Sequence, residues 1–149
     1  ELPDTMRTEH SIRQFKISLH AYIGITPPRF FFNVGSKIGN MLHTRIRLRA
    51  SDLHEDQHKF GKSNTTACRC GGAKENVEHF FLVCPQFNVE RTILYDNLSA
   101  VLGNNFRNIP RETQIEIITK GPSKTNRDSA TNIALAVQRF ILQTKRFSH

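Results

Sequence analysis

The sequence predicts an all-α fold, a small helical domain of about five to seven helices, and three observations carry that expectation. Apolar residues return every three or four positions, from Ile12, Phe15 and Leu19 near the start to Ile133, Val137 and Phe140 near the end. Strand signals are nearly absent. No internal repeat of roughly 20 to 50 residues appears that would point to a solenoid or propeller.

Ser11 to Tyr22 places Ile12, Phe15, Leu19 and Tyr22 on one face, with Ser11 and Gln14 spaced as a capping box, so a first amphipathic helix is expected there. Gly24 and the turn Thr26-Pro27-Pro28 end it. The run Phe30-Phe31-Phe32 reads as a core anchor, with one ring to spare beside Arg29 for a partner. Residues 1–35 are thus a helix followed by a Pro/aromatic linker. From Ser36 to about Ala50 the set Ile38, Leu42 and Ile46, widened by Met41 and Leu48, predicts a second helix. This helix carries a basic cluster. Arg45 and Arg49 are i, i+4 neighbours on its flank, and His43 and Arg47 form a second such pair on the side expected to be more exposed. Ser51 then reads as the N-cap of a short polar helix from Asp52 to Phe60, with Leu53 and Phe60 its apolar residues, completing a unit at 36–66.

The stretch from Ala67 to Arg91 is of a different kind, because it holds every cysteine of the chain in the order Cys68-x-Cys70-x8-His79-x4-Cys84. Three thiolates and one imidazole form a ligand set that favours a single tetrahedral zinc ion (Zn2+), and four protein ligands describe a structural site. Cys68 and Cys70 must leave one tight turn, which Gly71-Gly72 permits by accepting positive φ. Glu75 to Val83 reads as a short helix with Glu75 and Glu78 in its first turns, where negative charge suits the dipole. His79 and Cys84 are five residues apart, about 140° apart around an ideal helix. Pro85 offers a remedy, since the residue before a proline is pushed out of the α region and Cys84 can swing back. The competing reading is three ordinary buried cysteines and a core histidine. Confinement of all three cysteines to 17 residues, with glycines and a proline at the turns, favours the metal. A Cys68–Cys70 disulfide would be strained, and any single disulfide leaves an odd thiol.

Beyond this knuckle, Pro85 can open a helix reaching Leu102, with Phe87, Leu94, Leu98 and Val101 inward and Gly103 as its stop. Arg111 to Lys120 is a further helix turning Ile115 and Ile118 inward. Thr125 to Arg146 is the last, capped by Thr125 and Asp128 and burying Ile133, Val137, Phe140, Ile141 and Thr144. These C-terminal helices occupy 92–149, and residues 1–149 are expected to form a single helical domain. Loss of Cys84 is expected to disturb the knuckle broadly while the distant helix from Thr125 survives.

The run CRCGGAKENVEHFFLVCPQFNVER resembles the cysteine/histidine segment near the C-terminus of non-LTR (LINE-type) retrotransposon reverse-transcriptase polyproteins. The matching positions are Cys68, Cys70, Gly71, Glu75, His79, Phe80, Cys84, Pro85 and Arg91. Upstream, GSKIGNMLHTRIRLRASDL is similar to the segment preceding that knuckle, and TNIALAVQRFILQTKRF to the closing helix, so the resemblance covers about Pro28 to Phe147. It implies a region that follows the polymerase and holds template RNA or target DNA near it, with the reverse-transcriptase domain as a partner.

Composition agrees with a polyanion partner. Twenty-one Lys and Arg against thirteen Asp and Glu give +8 and a pI near 9.9. Three thiolates around a dication would bring that to about +7. The cations expected to meet nucleic acid are Arg45, Arg47 and Arg49 on the basic helix, Lys62, Arg69 and Lys74 around the knuckle, and Arg91 after it. No run of 18 apolar residues predicts a membrane span, the polar start does not read as a signal peptide, and thiols placed as ligands suit an intracellular location, nucleus or cytoplasm. A start at Glu1 suggests a piece of something longer. The paired aspartates of a polymerase hairpin are not found, and no nucleophile, base and oxyanion donor assemble, so no catalysis is expected.

Two rivals are carried. One is a scaffold or docking module whose metal merely closes the fold. The other is proteolysis, because His54-Glu55-Asp56-Gln57-His58 spells H-E-x-x-H, with Glu55 as general base and Glu78 a conceivable third ligand. The charged neighbours Asp56 and Lys59 do not suggest the dry surroundings that a catalytic zinc needs.

Overall fold

The computed structural model describes residues 34–122 and 125–148. The expected helix at Ser11–Tyr22 and the Phe30–Phe32 anchor lie outside the described residues. Within them the fold is all-α: α1 (Lys37–Arg47), α2 (His54–Lys59), a π-helical turn at His79–Val83, a 3-10 turn at Pro85–Phe87, α3 (Asn88–Leu102), a second 3-10 turn at Phe106–Asn108, α4 (Arg111–Lys120) and α5 (Arg127–Gln143). The described residues contain no strand. One isolated antiparallel bridge, Ala67 with Lys74, closes the base of the knuckle.

Helix boundaries follow local chemistry. Ser36 caps α1 by accepting the Gly39 amide at 3.0 Å. α3 begins after the 3-10 turn opened by Pro85 and stops at Gly103, whose φ of 71° ends the helix in the left-handed conformation. The cap of α5 is Asn126, accepting from the Ser129 amide, rather than Thr125, so the cap lies one residue later than the Thr125/Asp128 pair suggested. Ser51 does not cap α2 directly. Its hydroxyl and amide are both held by the buried Asp56 carboxylate, at 2.6 and 3.0 Å, while Leu53 occupies the cap position. Leu53 is fully buried, whereas Phe60 is exposed with Lys59 over its ring.

α5 is the central rod, with α3 packed along it in the most extensive helix pairing of the described residues and α1 on another side. Gly39 lets α1 approach closely, since a Cβ there would meet the Gln138 Oε1 at 2.8 Å. Ile133, Val137, Phe140 and Ile141 are buried as their spacing predicted, joined by Ala130, Ala134 and Ala136. On α4 the inward residues are Ile117 and Ile118, with Ile115 only half-buried.

α1 departs most from expectation. Ile38 and Met41, read as core, are exposed, while His43 and Arg47, read as the exposed pair, are buried. The cause lies at the C-terminus of α4, whose last carbonyls have no helical partner. The His43 Nε2 donates to the Ile118 carbonyl at 2.7 Å and the Arg47 Nε donates to that of Thr119. Burial pushes His43 down to about 3, so the ring is neutral, and lowers Arg47 to about 10, where it still carries its charge at the negative end of α4.

The core converges on Phe80. Its ring meets Phe81, Phe87, Phe140 and Phe147 edge-on at centroid distances of 4.9, 5.4, 5.2 and 5.4 Å, joining the knuckle, the 3-10 turn, α5 and the tail after it. The last helix, expected to be distant from the knuckle, thus packs directly against it. Phe80→Ala should cost about 3–5 kcal/mol in chemical denaturation, and the loss should be felt in α5 as strongly as in the knuckle by amide exchange.

Candidate metal centre

The knuckle is built by two turns facing each other. In the first, the Cys68 amide donates to the Ala73 carbonyl at 2.7 Å and Gly71 and Gly72 take φ values of 120° and 146°, which leaves Cys68 and Cys70 on one side of a narrow loop. The second turn starts where Asn76 accepts the His79 amide at 2.8 Å. Helical geometry runs over 77–83, so Glu75 lies before it and not in its first turn.

What brings His79 and Cys84 together is a change of helix type. The Cys84 amide donates to the His79 carbonyl at 2.7 Å, a hydrogen bond spanning five residues. A turn that closes on the fifth residue brings positions 79 and 84 round to the same side, where an α-helix would leave them apart. Cys84 itself then leaves helical space, with ψ at 120° before Pro85. This geometry orphans carbonyls. Phe81 would bond to the amide of residue 85, which is a proline, and the Phe80 partner has been diverted to His79. Arg91 replaces them: its Nε donates to the Phe81 carbonyl at 2.8 Å, and its Nη2 to those of Cys84 at 2.7 Å and Phe80 at 3.4 Å.

The result is a group of four ligand atoms from Cys68, Cys70, His79 and Cys84, all within 4.8 Å of one another, that could hold a metal ion. It is the one such group among the described residues. The Cys68 and Cys84 sulfurs are 3.8 Å apart, far beyond disulfide length, and the Cys70 sulfur is 3.3 Å from the His79 Nε2. A tetrahedral ion with bonds of about 2.3 Å to sulfur and 2.0–2.1 Å to nitrogen requires edges of about 3.8 and 3.6 Å. The donor set fits. Burial pushes the Cys68 thiol up to about 12 and also raises Cys84, while burial lowers His79. A dication would reverse the preference of the thiols, because the thiolate is the liganding form.

Behind the sulfurs stands a carboxylate that the sequence reading assigned to a helix dipole. Glu75 is 2% exposed, its Oε2 lies 3.7 Å from the Cys68 sulfur, and Arg146 grips both its oxygens, Nε to Oε2 at 3.0 Å and Nη2 to Oε1 at 2.5 Å. The second amine hydrogen bond of Arg146 reaches the Asp52 carbonyl, and the His54 amide donates to Glu75 at 2.8 Å. Burial would raise the Glu75 carboxyl, but Arg146 and the His54 amide outweigh it and hold it below the usual range. No periodicity linked residues 75 and 146; the signal available was an acidic residue between Cys70 and His79 and an arginine three residues after the last helix.

Compared with known proteins, this chain matches no family model, no curated protein and no solved structure. The remaining sequence-predicted residues separate into two groups. Arg45, Arg49, Lys62, Arg69 and Lys74 are exposed, Lys74 pairing with Glu55 at 3.3 Å. Arg47 and Arg91 are each 7% exposed and spent on backbone carbonyls, which corrects their assignment to a binding surface. In the H-E-x-x-H segment, the His54 Nδ1 sits 2.6 Å from the Ala67 carbonyl and the His58 Nδ1 3.0 Å from that of Ser63, so each imidazole is held by its own backbone carbonyl of the 60–67 segment. No described helix is long and apolar enough to cross a membrane.

Arg146→Ala should weaken metal binding about tenfold, the scale of an outer-shell loss, in competition with a chromophoric chelator. The fork contributes stability above the ordinary glutamate value of about 4.3 and loses it as pH falls through the lowered folded value. Acid unfolding of Arg146→Ala should therefore lack that component.

Proposed function

We propose that this chain is a zinc-closed helical module that binds nucleic acid, RNA or DNA, mainly through phosphates and has no catalytic activity of its own. The observation that carries the reading is the pairing of a four-ligand Cys/His cluster with exposed cations on and around its loop. Four protein donors fill a tetrahedron, and soft thiolates with one imidazole select zinc over the harder divalent ions. Arg69 stands between two of the ligands on the exposed tip, with Lys62 and Lys74 on the flanking segments and Arg45 and Arg49 at the end of α1. A net charge of +8 gives these groups a favourable field.

The resemblance to the post-polymerase region of retrotransposon reverse transcriptases supports the same reading. In that setting the reverse-transcriptase domain is a partner, and the module positions template RNA or target DNA.

A docking module is the second reading, and a specific observation favours it: Val83, Val89 and Ile93 are exposed, Val89 by 73%, beside the knuckle and along the outer side of α3. The two readings separate on charge. Reversing Arg45 and Arg49 abolishes binding through phosphates but leaves apolar docking intact.

With five exposed cations engaged, log K should fall with log salt at a slope of about −3.5 for single strands and about −4.5 for duplex. Fluorescence anisotropy over a salt series measures this directly; binding indifferent to salt, or none at about 50 mM, overturns the proposal. Zinc should be present at one per chain. Its removal by a chelator should loosen the knuckle and residues 144–148 together in amide exchange, since the tail docks on Glu75 and Phe80.

A further inference from the structure

A cleft of about 980 Å³ lies between α2 with the knuckle on one side and the start of α4 on the other. Its volume is at the upper end of the ~300–1,000 Å³ typical of ligand clefts. A second hollow of about 490 Å³ continues it, sharing Arg49, Glu112 and Ile115. We infer that this cleft is the seat of a single-stranded nucleic-acid segment, with phosphates on its cations and unpaired bases against its carboxylates. The inference rests on the nucleic-acid reading above and names the form of strand that it takes.

Charge distribution selects the ligand. The lining offers cations at Arg49, Lys59, Lys74 and Arg111, but also carboxylates at Glu55, Asp56, Glu78 and Glu112. A phosphate polymer or a duplex, which turns its charges outward and keeps its base edges paired, would meet those carboxylates as repulsion. A single strand offers anions and free exocyclic amines together, and carboxylates accept from such amines. The partly apolar Ile115, common to both hollows, provides a surface against which a base can lie. The two ion pairs in the cleft, Lys74 with Glu55 at 3.3 Å and Arg111 with Glu78 at 3.2 Å, are solvent-exposed. Exchanging such pairs for a phosphate costs little, because each contributes about 0–1 kcal/mol. Arg49 and Lys74 were already expected to meet nucleic acid; Arg111 enters through the geometry alone.

The test uses the zinc-loaded chain and labelled 12-nucleotide oligo(dC), oligo(dT) and a 12-base-pair duplex in anisotropy. The single strands should bind more tightly than the duplex, and oligo(dC) at least about threefold more tightly than oligo(dT), whose bases lack an exocyclic amine. Lys74→Glu with Arg111→Glu should weaken oligo(dC) at least about tenfold. Arg139→Glu twinned with Lys145→Glu, the same charge change at exposed positions lining neither hollow, should weaken it less than about threefold. Glu112→Gln should raise affinity for both strands by removing a negative charge, but narrow the preference for cytosine. Both double variants must retain one zinc per chain. Equal losses in the two double variants, tighter binding of duplex, or native affinity in the cleft variant would each overturn the cleft. Native affinity in the cleft variant would leave the broader nucleic-acid reading standing, whereas failure of the native chain to bind any strand removes both.

Discussion

The hydrogen bond from the Cys84 amide to the His79 carbonyl is the constraint on which the rest of the knuckle depends. Two ligands five residues apart cannot share one side of an α-helix, so the helix has to close one residue late. That choice diverts one amide, meets a proline at the next, and leaves carbonyls of Phe80 and Phe81 inside the protein without backbone donors. A planar guanidinium can donate from several nitrogens in fixed directions, which a lysine cannot. Arg91 is thereby tied to the Cys/His cluster by geometry. Its place in the sequence, seven residues after Cys84, puts it on the first full turn of α3, facing back over the π-helical turn.

Arginine is used in the same manner elsewhere. Arg47 serves the carbonyls ending α4, and Arg146 serves Glu75 and the Asp52 carbonyl. Three of the cations behind the basic composition therefore work inside the fold, and the pI overstates the charge available to a partner. Among the described cations that stay exposed are Arg45 and Arg49 at the end of α1 and Lys62, Arg69 and Lys74 around the knuckle. Buried carbonyls without backbone donors, and the buried Glu75 carboxylate, determine which arginines turn inward.

Much of the architecture was legible in the sequence. The spacing of Leu94 and Leu98, and of Ile133, Val137, Phe140 and Ile141, marked buried helix faces because apolar burial dominates those helices. The four-residue ligand set was legible because cysteine, histidine, glycine and proline have few other reasons to share such a short segment. α1 was misread for a physical reason: its inner face is polar, and His43 and Arg47 are buried to satisfy α4 rather than to fill space. A hydrophobic period cannot register a residue buried for its hydrogen bonds. Glu75 was misread for a related reason, since its partner is 71 residues away and no local pattern connects them.

The charge around the centre ties these long-range partners to the candidate metal site as well as to the fold. Three thiolates, an imidazole and a dication leave about −1, and Glu75 beside Cys68 adds another negative charge in a buried setting. Left alone, two like charges in low dielectric would oppose both metal loading and ionisation of Glu75. Arg91 lies against Cys84 on one side and Arg146 against Glu75 on the other, so two guanidinium groups balance the two negative charges. If the centre is loaded with zinc, it is neutral as a unit, and the cost of burying it falls accordingly. With a metal bound, the dependence would run both ways by linkage: docking Arg146 would favour the metal, and the metal, by fixing the Cys68 turn against Glu75, would favour the docked tail.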